Sequence, residues 1–325
     1  MLKPQSTGID INQKNGQMLN TQSDKLLASC LGAALGESFG MPVEGLTSAE
    51  INKIYGEVET ILPRQESDVF QALPAGSTAK QTEALLAILN ASNPLPELQE
   101  FAFNIKDAYN RQQAKWPRST TFPWPPFPDG GHYSLAFAIP AAWLYFQNRV
   151  NQGTLETWLK SLEPVSPVWQ QSVWVYLRML DWLFDAKPQD FDRGLYLKSI
   201  YQFIEEAENQ VPHDSKLREK MQQVEPLLDE SVEEIGKACG GVDVAAENIL
   251  VFALSMLYRN PDSYEKALLE AANAGGATEA ATFYLGSLLG ALHGQEVFPA
   301  TWLDKFSEQE RIISEVERYR KKVGI

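Results

Sequence analysis

A lysine lies in the first turn of a predicted helix, where a positive charge is unfavourable. The segment GSTAKQTEALLAIL (76–89) has the pattern of a buried helix, and Thr78 and Gln81 have the spacing of a capping box. Lys80 stands between them, at the positive end of the helix dipole, where an ammonium group loses about 0.3–1 kcal/mol. Aspartate would suit positions 79 and 80 better, so the presence of Lys80 needs a reason outside its own helix.

The elements that must position such a residue are helical. Apolar residues recur at three- and four-residue spacing over the segments 24–40, 47–56, 166–184, 243–260, 262–276 and 278–294. Their predicted caps are the Thr47/Glu50 and Asp262/Glu265 capping boxes and the N-cap residues Ser166 and Asp243. Strand patterns are scarce. The sequence therefore predicts an all-α, compact multi-helix bundle in a single domain (23–325) after a loose N-terminal tail (1–22).

Two of the predicted helices carry glycine at every fourth position: Gly32, Gly36 and Gly40, and Gly286, Gly290 and Gly294. Glycine inside a helix costs about 1 kcal/mol relative to alanine, so these positions need a reason. A stripe of glycines lets another backbone approach closely. We expect the first and last core helices to pack tightly on each other; a dimer interface built on the same stripes is the alternative.

Composition excludes several function classes. The 325 residues contain 28 Lys and Arg against 42 Asp and Glu, a net charge of −14, which opposes binding to nucleic acid or to an anionic membrane. Cys30 and Cys239 lie in apolar stretches without a CxxC pair, and His132, His213 and His293 are far apart, so a zinc-type site is not expected. No apolar run reaches 18 residues and the N-terminus lacks a signal sequence. The expected location is cytoplasmic.

The segment 116–133 is rich in proline and aromatic residues and is predicted to be non-helical. We expect it to cover part of the core. Docking of a protein partner and roofing of a ligand cleft remain as alternatives. His132, near its end, could titrate around neutral pH and is retained as a candidate ligand-binding residue, although a lone histidine is typically structural.

Three stretches resemble the ADP-ribosylglycohydrolase family, which includes the dinitrogenase reductase-activating glycohydrolases. Residues 32–56 are similar to its opening G-x-x-x-G-D-A-x-G-x-P-x-E motif, and residues 76–89 stand where the family carries T-D-D-T. Residues 264–294 resemble its A-L-x-x-A-x-N-x-G-G-D-T-D-T motif and the glycine-rich helix that follows. The resemblance implies the family's all-α fold. It also implies a chemistry in which two magnesium ions assist removal of ADP-ribose from a modified side chain or a related compound.

The first motif keeps both of its acidic positions in this chain, whereas the second keeps neither. The family's first acid matches Glu44, and the Asp of G-D-A is Glu37. The first Thr of T-D-D-T is kept as Thr78, but its two aspartates fall on Ala79 and Lys80. By the resemblance, this region has therefore lost two carboxylates and gained an ammonium group.

The final motif is also altered. Its first Asp falls on Ala277, its Thr is kept as Thr278, its second Asp becomes Glu279 and its closing Thr becomes Ala280. The family pattern sets five carboxylates against two divalent ions, whereas Glu44, Lys80 and Glu279 here sum to −1. An ammonium about 4 Å from a divalent ion is repelled by about 8 kcal/mol at an effective dielectric constant of 20. We therefore predict that the binuclear metal site is lost, and we predict no cofactor.

Lys80 then has two interpretations. It pairs with Glu44 or Glu279, so that the chain supplies its own cation, or it extends to solvent from a site without function. Thr78 is explained by the capping box and Glu279 by the helix dipole. Glu44 has no such structural explanation and is the better candidate for a functional remnant.

Three functions follow from these residues. The first is an inactive ADP-ribosylglycohydrolase-like module that binds or regulates through an ADP-ribosyl or nucleotide-like ligand, held at the helix N-termini. The second is a metal-free or single-metal hydrolase with Glu44 or Glu279 as general base and Lys80 as electrostatic stabiliser. The third is a structural or assembly protein that uses the 116–133 segment as contact surface. The candidate ligand-binding residues are Glu44, Thr78, Lys80, His132, Thr278 and Glu279.

Overall fold

The computed structural model describes residues 11–118, 132–161, 166–212, 216–243 and 245–324. Within these ranges the chain forms fifteen α-helices and no β-strand, so the predicted all-α class is confirmed. The helices are α1 (Ile11–Gly40), α2 (Ser48–Tyr55), α3 (Lys80–Leu89), α4 (Leu98–Arg111), α5 (Ala138–Phe146), α6 (Gln152–Ser161), α7 (Pro167–Asp185), α8 (Arg193–Gln210), α9 (Lys216–Val224), α10 (Val232–Ala238), α11 (Ala246–Arg259), α12 (Tyr264–Asn273), α13 (Thr278–His293), α14 (Ala300–Leu303) and α15 (Gln309–Val323).

Two of the predicted helix starts are confirmed in their capping geometry. The Thr47 hydroxyl accepts a hydrogen bond from the Glu50 N–H at 3.3 Å, and the Glu50 carboxylate accepts one from the Thr47 N–H at 2.8 Å. Ser166 caps α7 by accepting from the N–H of Trp169, with proline at the first helical position. At these two helix starts, the local sequence alone was sufficient to predict the N-cap residue.

Two other predicted caps are wrong by one or two residues. The N-cap of α11 is Ala245, because the Asp243 carboxylate folds back to accept from the Ala245 N–H in a turn before the helix. The N-cap of α12 is Ser263 rather than Asp262, and its hydroxyl accepts from the Lys266 N–H at 3.2 Å. At α12 the neighbouring Ser263 hydroxyl offers the backbone an equivalent bond, which sequence spacing does not distinguish, whereas α11 begins without a side-chain cap.

Helices α1 and α13 pack directly on each other through the glycine stripes. A Cβ atom on Gly32 would overlap the carbonyl oxygen of Gly286, and a Cβ atom on Gly290 would overlap that of Ala28. The predicted tight packing of the first and last core helices is therefore confirmed. The stripes face each other inside one chain, so they do not support the alternative of a dimer interface.

Helix α1 contains most of an apolar stretch. This stretch, Lys25–Val43, is long and apolar enough to cross a membrane by composition alone, but an 18-residue window of it is wholly buried within the fold, so packing accounts for its apolar character. The helix begins at Ile11, inside the stretch 1–22 predicted as a loose tail, so the boundary expected near residue 23 is not a helix start. Residues 1–10 lie outside the described residues.

The proline-rich segment is described only at its ends. Residues 119–131 and the side chain of His132 lie outside the described residues, so the interpretations of 116–133 and of His132 stay predictions. Trp116, at the start of the segment, is 5% exposed and packs into the main apolar core. His213 also lies outside the described residues.

Candidate functional site

The N-termini of α3 and α13 meet beside the turn that follows α1, and a buried carboxylate lies between two cations there. Glu279, in the first turn of α13, is fully buried. The Lys80 ammonium donates to its Oε2 at 2.7 Å, and the Arg64 guanidinium donates to its Oε1 at 3.0 Å. Glu44 Oε1 lies 3.7 Å from the Lys80 nitrogen. We call Glu44, Arg64, Lys80 and Glu279 the charge cluster.

The predicted pairing of Lys80 is confirmed, and the alternative of an ammonium in solvent is wrong. Lys80 is 5% exposed, and its hydrogen-bonded partner is Glu279 rather than Glu44. Burial alone would lower the pKa of Lys80, but the Glu279 and Glu44 carboxylates outweigh it and raise that pKa above its usual value. A cation in the unfavourable first turn of α3 is thus explained by two carboxylates outside that helix.

Arg64 is a member of the cluster that the sequence did not indicate. It comes from an irregular segment between α2 and α3, and it is 3% exposed. Its guanidinium makes three kinds of contact: Nη1 to Glu279, Nε to the carbonyl of Gln71 at 3.0 Å and Nη2 to the carbonyl of Ala114 at 2.8 Å. Such a fork of donors suits a buried carboxylate better than a second lysine would.

The N-terminus of α3 is capped by a carboxylate from α1. Glu37 accepts hydrogen bonds from the backbone N–H groups of Ala79, Gln81 and Thr82 at 2.7–3.2 Å. The predicted Thr78/Gln81 capping box is therefore wrong: Ala79 is the N-cap residue, and the Gln81 side chain has no hydrogen-bond partner among the described residues. An ionised acceptor makes a stronger bond to these N–H groups than a hydroxyl does.

Glu44 caps the N-terminus of α13 in the same way. Its Oε2 accepts from the Glu279 N–H at 2.8 Å, while the Thr278 hydroxyl donates to the Gly40 carbonyl at 2.8 Å. The backbone donors that we expected to hold an anionic ligand at α3 and α13 are thus bonded to the chain's own carboxylates. Thr278 lies beside Glu44, but its hydroxyl bonds to the last residue of α1.

The two capping carboxylates are raised in pKa. Burial, aided by the nearby Glu279, raises the pKa of Glu37 to about 7 against its backbone and Thr82 donors. Burial also raises the pKa of Glu44 to about 7, with Lys80 acting in the opposite direction and Glu279 in the same one. Both acids therefore titrate near neutral pH, whereas an ordinary glutamate has a pKa of about 4.3.

Thr78 lies in a second buried cluster, apart from Glu279. The Lys115 ammonium donates to the Thr78 hydroxyl at 3.0 Å and to the carboxylates of Glu83 at 2.8 Å and Glu308 at 2.9 Å. Arg311 adds a bidentate pair to Glu83, with both distances 2.8 Å. Oxygen atoms of a threonine and two carboxylates thus surround an ammonium group, and neither Lys115 nor Glu83 was predicted.

The residues present do not fit a pair of magnesium ions. Such ions need several oxygen ligands, mostly carboxylates free to bind them. At the family's aspartate positions this chain has the Ala79 methyl group and the Lys80 ammonium, and both oxygens of Glu279 are bonded to cations of the chain. Within the described ranges no group of three or more His, Cys, Asp or Glu side chains is arranged to hold a metal.

Comparison with known proteins shows which family this chain resembles. The ADP-ribosylglycohydrolase family model matches residues 166–323, which contain Thr278 and Glu279 of the site. A solved structure described as an ADP-ribosylglycohydrolase-related protein complex aligns with 94% of this chain and 100% of its own, at a TM-score of 0.65 and 18% sequence identity. The chain thus resembles the ADP-ribosylglycohydrolase family in sequence over its C-terminal part and in fold over nearly its whole length, which confirms the predicted resemblance.

Two proteins are similar to this chain in sequence. An uncharacterized protein of Archaeoglobus fulgidus is 22% identical over 300 residues, which cover 88% of this chain and 93% of that protein. An ADP-ribosylarginine hydrolase of Serratia proteamaculans is 39% identical over 59 residues, which cover 18% of this chain and 16% of the hydrolase. This chain thus shares most of its length with one relative and a short segment with the other.

Proposed function

We propose that this ADP-ribosylglycohydrolase-like protein is catalytically inactive and acts as a binding or regulatory module for an ADP-ribosyl or nucleotide-like ligand. The observation that supports it is the charge cluster, in which Lys80 and Arg64 each bond to one oxygen of Glu279. The carboxylate at one of the acid positions of the family motif thus bonds to two side-chain cations of the chain. The proposal places the protein in the cytoplasm.

The charges of the cluster favour a site without a metal ion over a site that binds one. Lys80 and Arg64 contribute +2, and Glu44 and Glu279 contribute −2 when both are ionised, so the cluster is balanced without an ion. Each of the four side chains is at most 8% exposed. A divalent ion entering it would face two fixed cations at contact distance, each repelling it by several kcal/mol at an effective dielectric constant of about 20.

The ligand class rests on the family and on one relative. The family model is that of ADP-ribosylglycohydrolases, and the Serratia relative is an ADP-ribosylarginine hydrolase. Fold and family alone do not determine a ligand, so this part of the proposal needs a direct binding measurement.

A metal-free hydrolase is the second candidate, because one feature of Glu44 favours it. Its pKa of about 7 would suit a general base at neutral pH. Against this, its Oε2 already accepts from the Glu279 N–H and its Oε1 faces Lys80. A carboxylate with both oxygens engaged is a weaker base toward a substrate water.

The deciding experiment is isothermal titration of chelator-treated protein with Mg²⁺ or Mn²⁺, then with ADP-ribose in the presence and absence of metal. We expect no metal binding and metal-independent ADP-ribose binding. Micromolar metal binding, or release of ADP-ribose from an ADP-ribosylated arginine peptide, would overturn inactivity. Absence of binding in both titrations would instead support a purely structural or assembly protein.

A variant carrying Ala79→Asp, Lys80→Asp and Ala277→Asp provides the matched control for these titrations. It restores the three missing carboxylates of the family motifs and removes the ammonium group. We expect this variant to bind Mg²⁺ when the parent protein does not. Failure of both proteins to bind would show that the misfit to magnesium has a cause other than these three positions.

A further inference from the structure

Among the described residues, a loop that contributes Arg64 lies over the rest of the charge cluster, and Arg64 is its one buried residue. Between Ile61 and Leu73, which are themselves buried, Arg64 is the only buried side chain of residues 62–72. The tip of the loop is exposed, with Val69 50% exposed. We call residues 62–72 the cover loop.

The two ends of the cover loop are fixed independently of its middle. Before it, the Val58 N–H donates to the Asn273 side-chain oxygen at 2.9 Å, and the Asn273 amide donates back to the Val58 carbonyl at 3.1 Å. After it, the Ser307 hydroxyl donates to the Gly76 carbonyl at 2.9 Å. These two anchors lie outside the loop, and the loop tip has one further backbone bond, from the Arg118 N–H to the Val69 carbonyl at 2.7 Å.

Arg64 connects the base of the loop to the floor of the site. Its backbone pairs with Leu73 across the loop, at 3.0 and 3.1 Å. Its guanidinium reaches through to Glu279 on α13 and to the Ala114 carbonyl, while Nε bonds to Gln71 within the loop. Phe70 closes the outer side, with the Arg64 guanidinium 4.8 Å from its ring centre.

We propose that the cover loop is a closed lid over the charge cluster and that Arg64 is the residue that holds it shut through Glu279. The apolar residues Leu62 and Phe70 of the loop are only partly buried, so the free energy of opening the loop depends largely on Arg64. Release of Arg64 exposes Lys80, Glu44 and Glu279 to solvent. The ion pair thus controls access to the site as well as balancing its charge.

Hydrogen exchange of the whole protein, followed by mass spectrometry, tests this proposal. In Arg64→Met we expect peptides from 62–72 to exchange at least about tenfold faster than in the wild type, with α11 unchanged. The matched control is Arg118→Met. Arg118 also contacts the loop, through an exposed ion pair with Glu66, and we expect an effect of less than about twofold.

Several outcomes would overturn the proposal. Equal acceleration in the two variants would show that Arg64 has no special role, and uniform acceleration that includes α11 would show global destabilisation. A wild-type loop that exchanges like an unfolded peptide would show that it is not held shut.

If Arg64→Met does not fold, Arg64→Lys takes its place. It keeps the charge near Glu279 but cannot also reach the carbonyls of Gln71 and Ala114, so we expect faster exchange than in Arg118→Met. No difference between these two variants would overturn the proposal. These measurements use neither metal nor ligand, so they stand or fall separately from the proposed function.

Discussion

Replacement of Lys80 by methionine measures what the buried charge pairing contributes to folding. The substitution keeps the length and apolar stem of the side chain and removes the ammonium, which lies 2.7 Å from Glu279 and 3.7 Å from Glu44. At 2.7 Å two unit charges attract by roughly 6 kcal/mol at an effective dielectric constant of 20. Much of this offsets desolvation, and removal of one partner of a buried pair costs roughly 3–5 kcal/mol. We expect about 3 kcal/mol for Lys80→Met, at the lower end of that range, because Arg64 still neutralises Glu279.

A surface pair of the same length provides the control. Lys237 and Glu233 are also 2.7 Å apart, but each side chain is 69% exposed. We expect Lys237→Met to unfold at the same urea concentration as the wild type, because water screens such pairs. The assay is equilibrium unfolding in urea at pH 8, with the slope of the transition checked for constancy.

The double variant Lys80→Met/Glu279→Gln separates the interaction from other effects of each change. We expect it to be more stable than the sum of the two single losses predicts, because each single variant leaves an incompletely compensated buried charge. If Lys80→Met unfolds like the wild type, or if its loss equals that of Lys237→Met, the buried pair does not stabilise the fold and the reasoning is refuted.

Three further predictions concern other parts of the structure. The raised pKa of Glu44, about 7 against 4.5 in the unfolded chain, means that its contribution to stability is complete below pH 4.5 and is lost as pH rises through 7. The free energy of unfolding should therefore fall by up to about 1.4 kcal/mol per pH unit from this group, and Glu44→Gln should flatten that slope in urea titrations between pH 5 and 8. Gly286→Ala should destabilise by about 1–3 kcal/mol in thermal unfolding, because its Cβ overlaps a carbonyl of α1, whereas Gly153→Ala, with its nearest neighbour at 3.5 Å, should not destabilise. Lys115→Met should lower the urea midpoint clearly more than Arg311→Met, because the Lys115 side chain is 7% exposed and that of Arg311 is 35% exposed; equal losses would show that burial does not determine the effect.

Much of the fold follows from patterns that lie within single helices. Apolar periodicity and glycine spacing predict the helices and the contact of α1 with α13, because both depend on residues three or four apart. The Thr47/Glu50 box succeeds for the same reason. The Thr78/Gln81 box fails because Glu37, on another helix, bonds to the same N–H groups. Residue spacing within one helix does not show that an acceptor from a distant part of the chain binds the same N–H groups.

The charge cluster was predictable in part. An ammonium in the first turn of α3 requires a carboxylate, and the family motifs indicate which acids are near, so Lys80 and its partners could be found. Arg64 could not, because it lies in an irregular segment and meets Glu279 across 215 residues of sequence. Lys115 likewise bonds to Glu83 and Glu308 from a short turn without a recognisable motif. Side chains that reach a site from loops leave no periodic signal.

The engagement of both Glu279 oxygens has a consequence for the mutational routes open to this chain. Lys80→Asp alone would add a carboxylate to those of Glu44, Glu279 and Glu37, with only Arg64 to neutralise them. Such a protein would fold poorly unless a metal ion arrived together with the substitution. Restoring the family's acids one at a time therefore passes through intermediates that are less stable than either end state. The present charge cluster is therefore more stable than the variants that single substitutions toward the family's acids would produce.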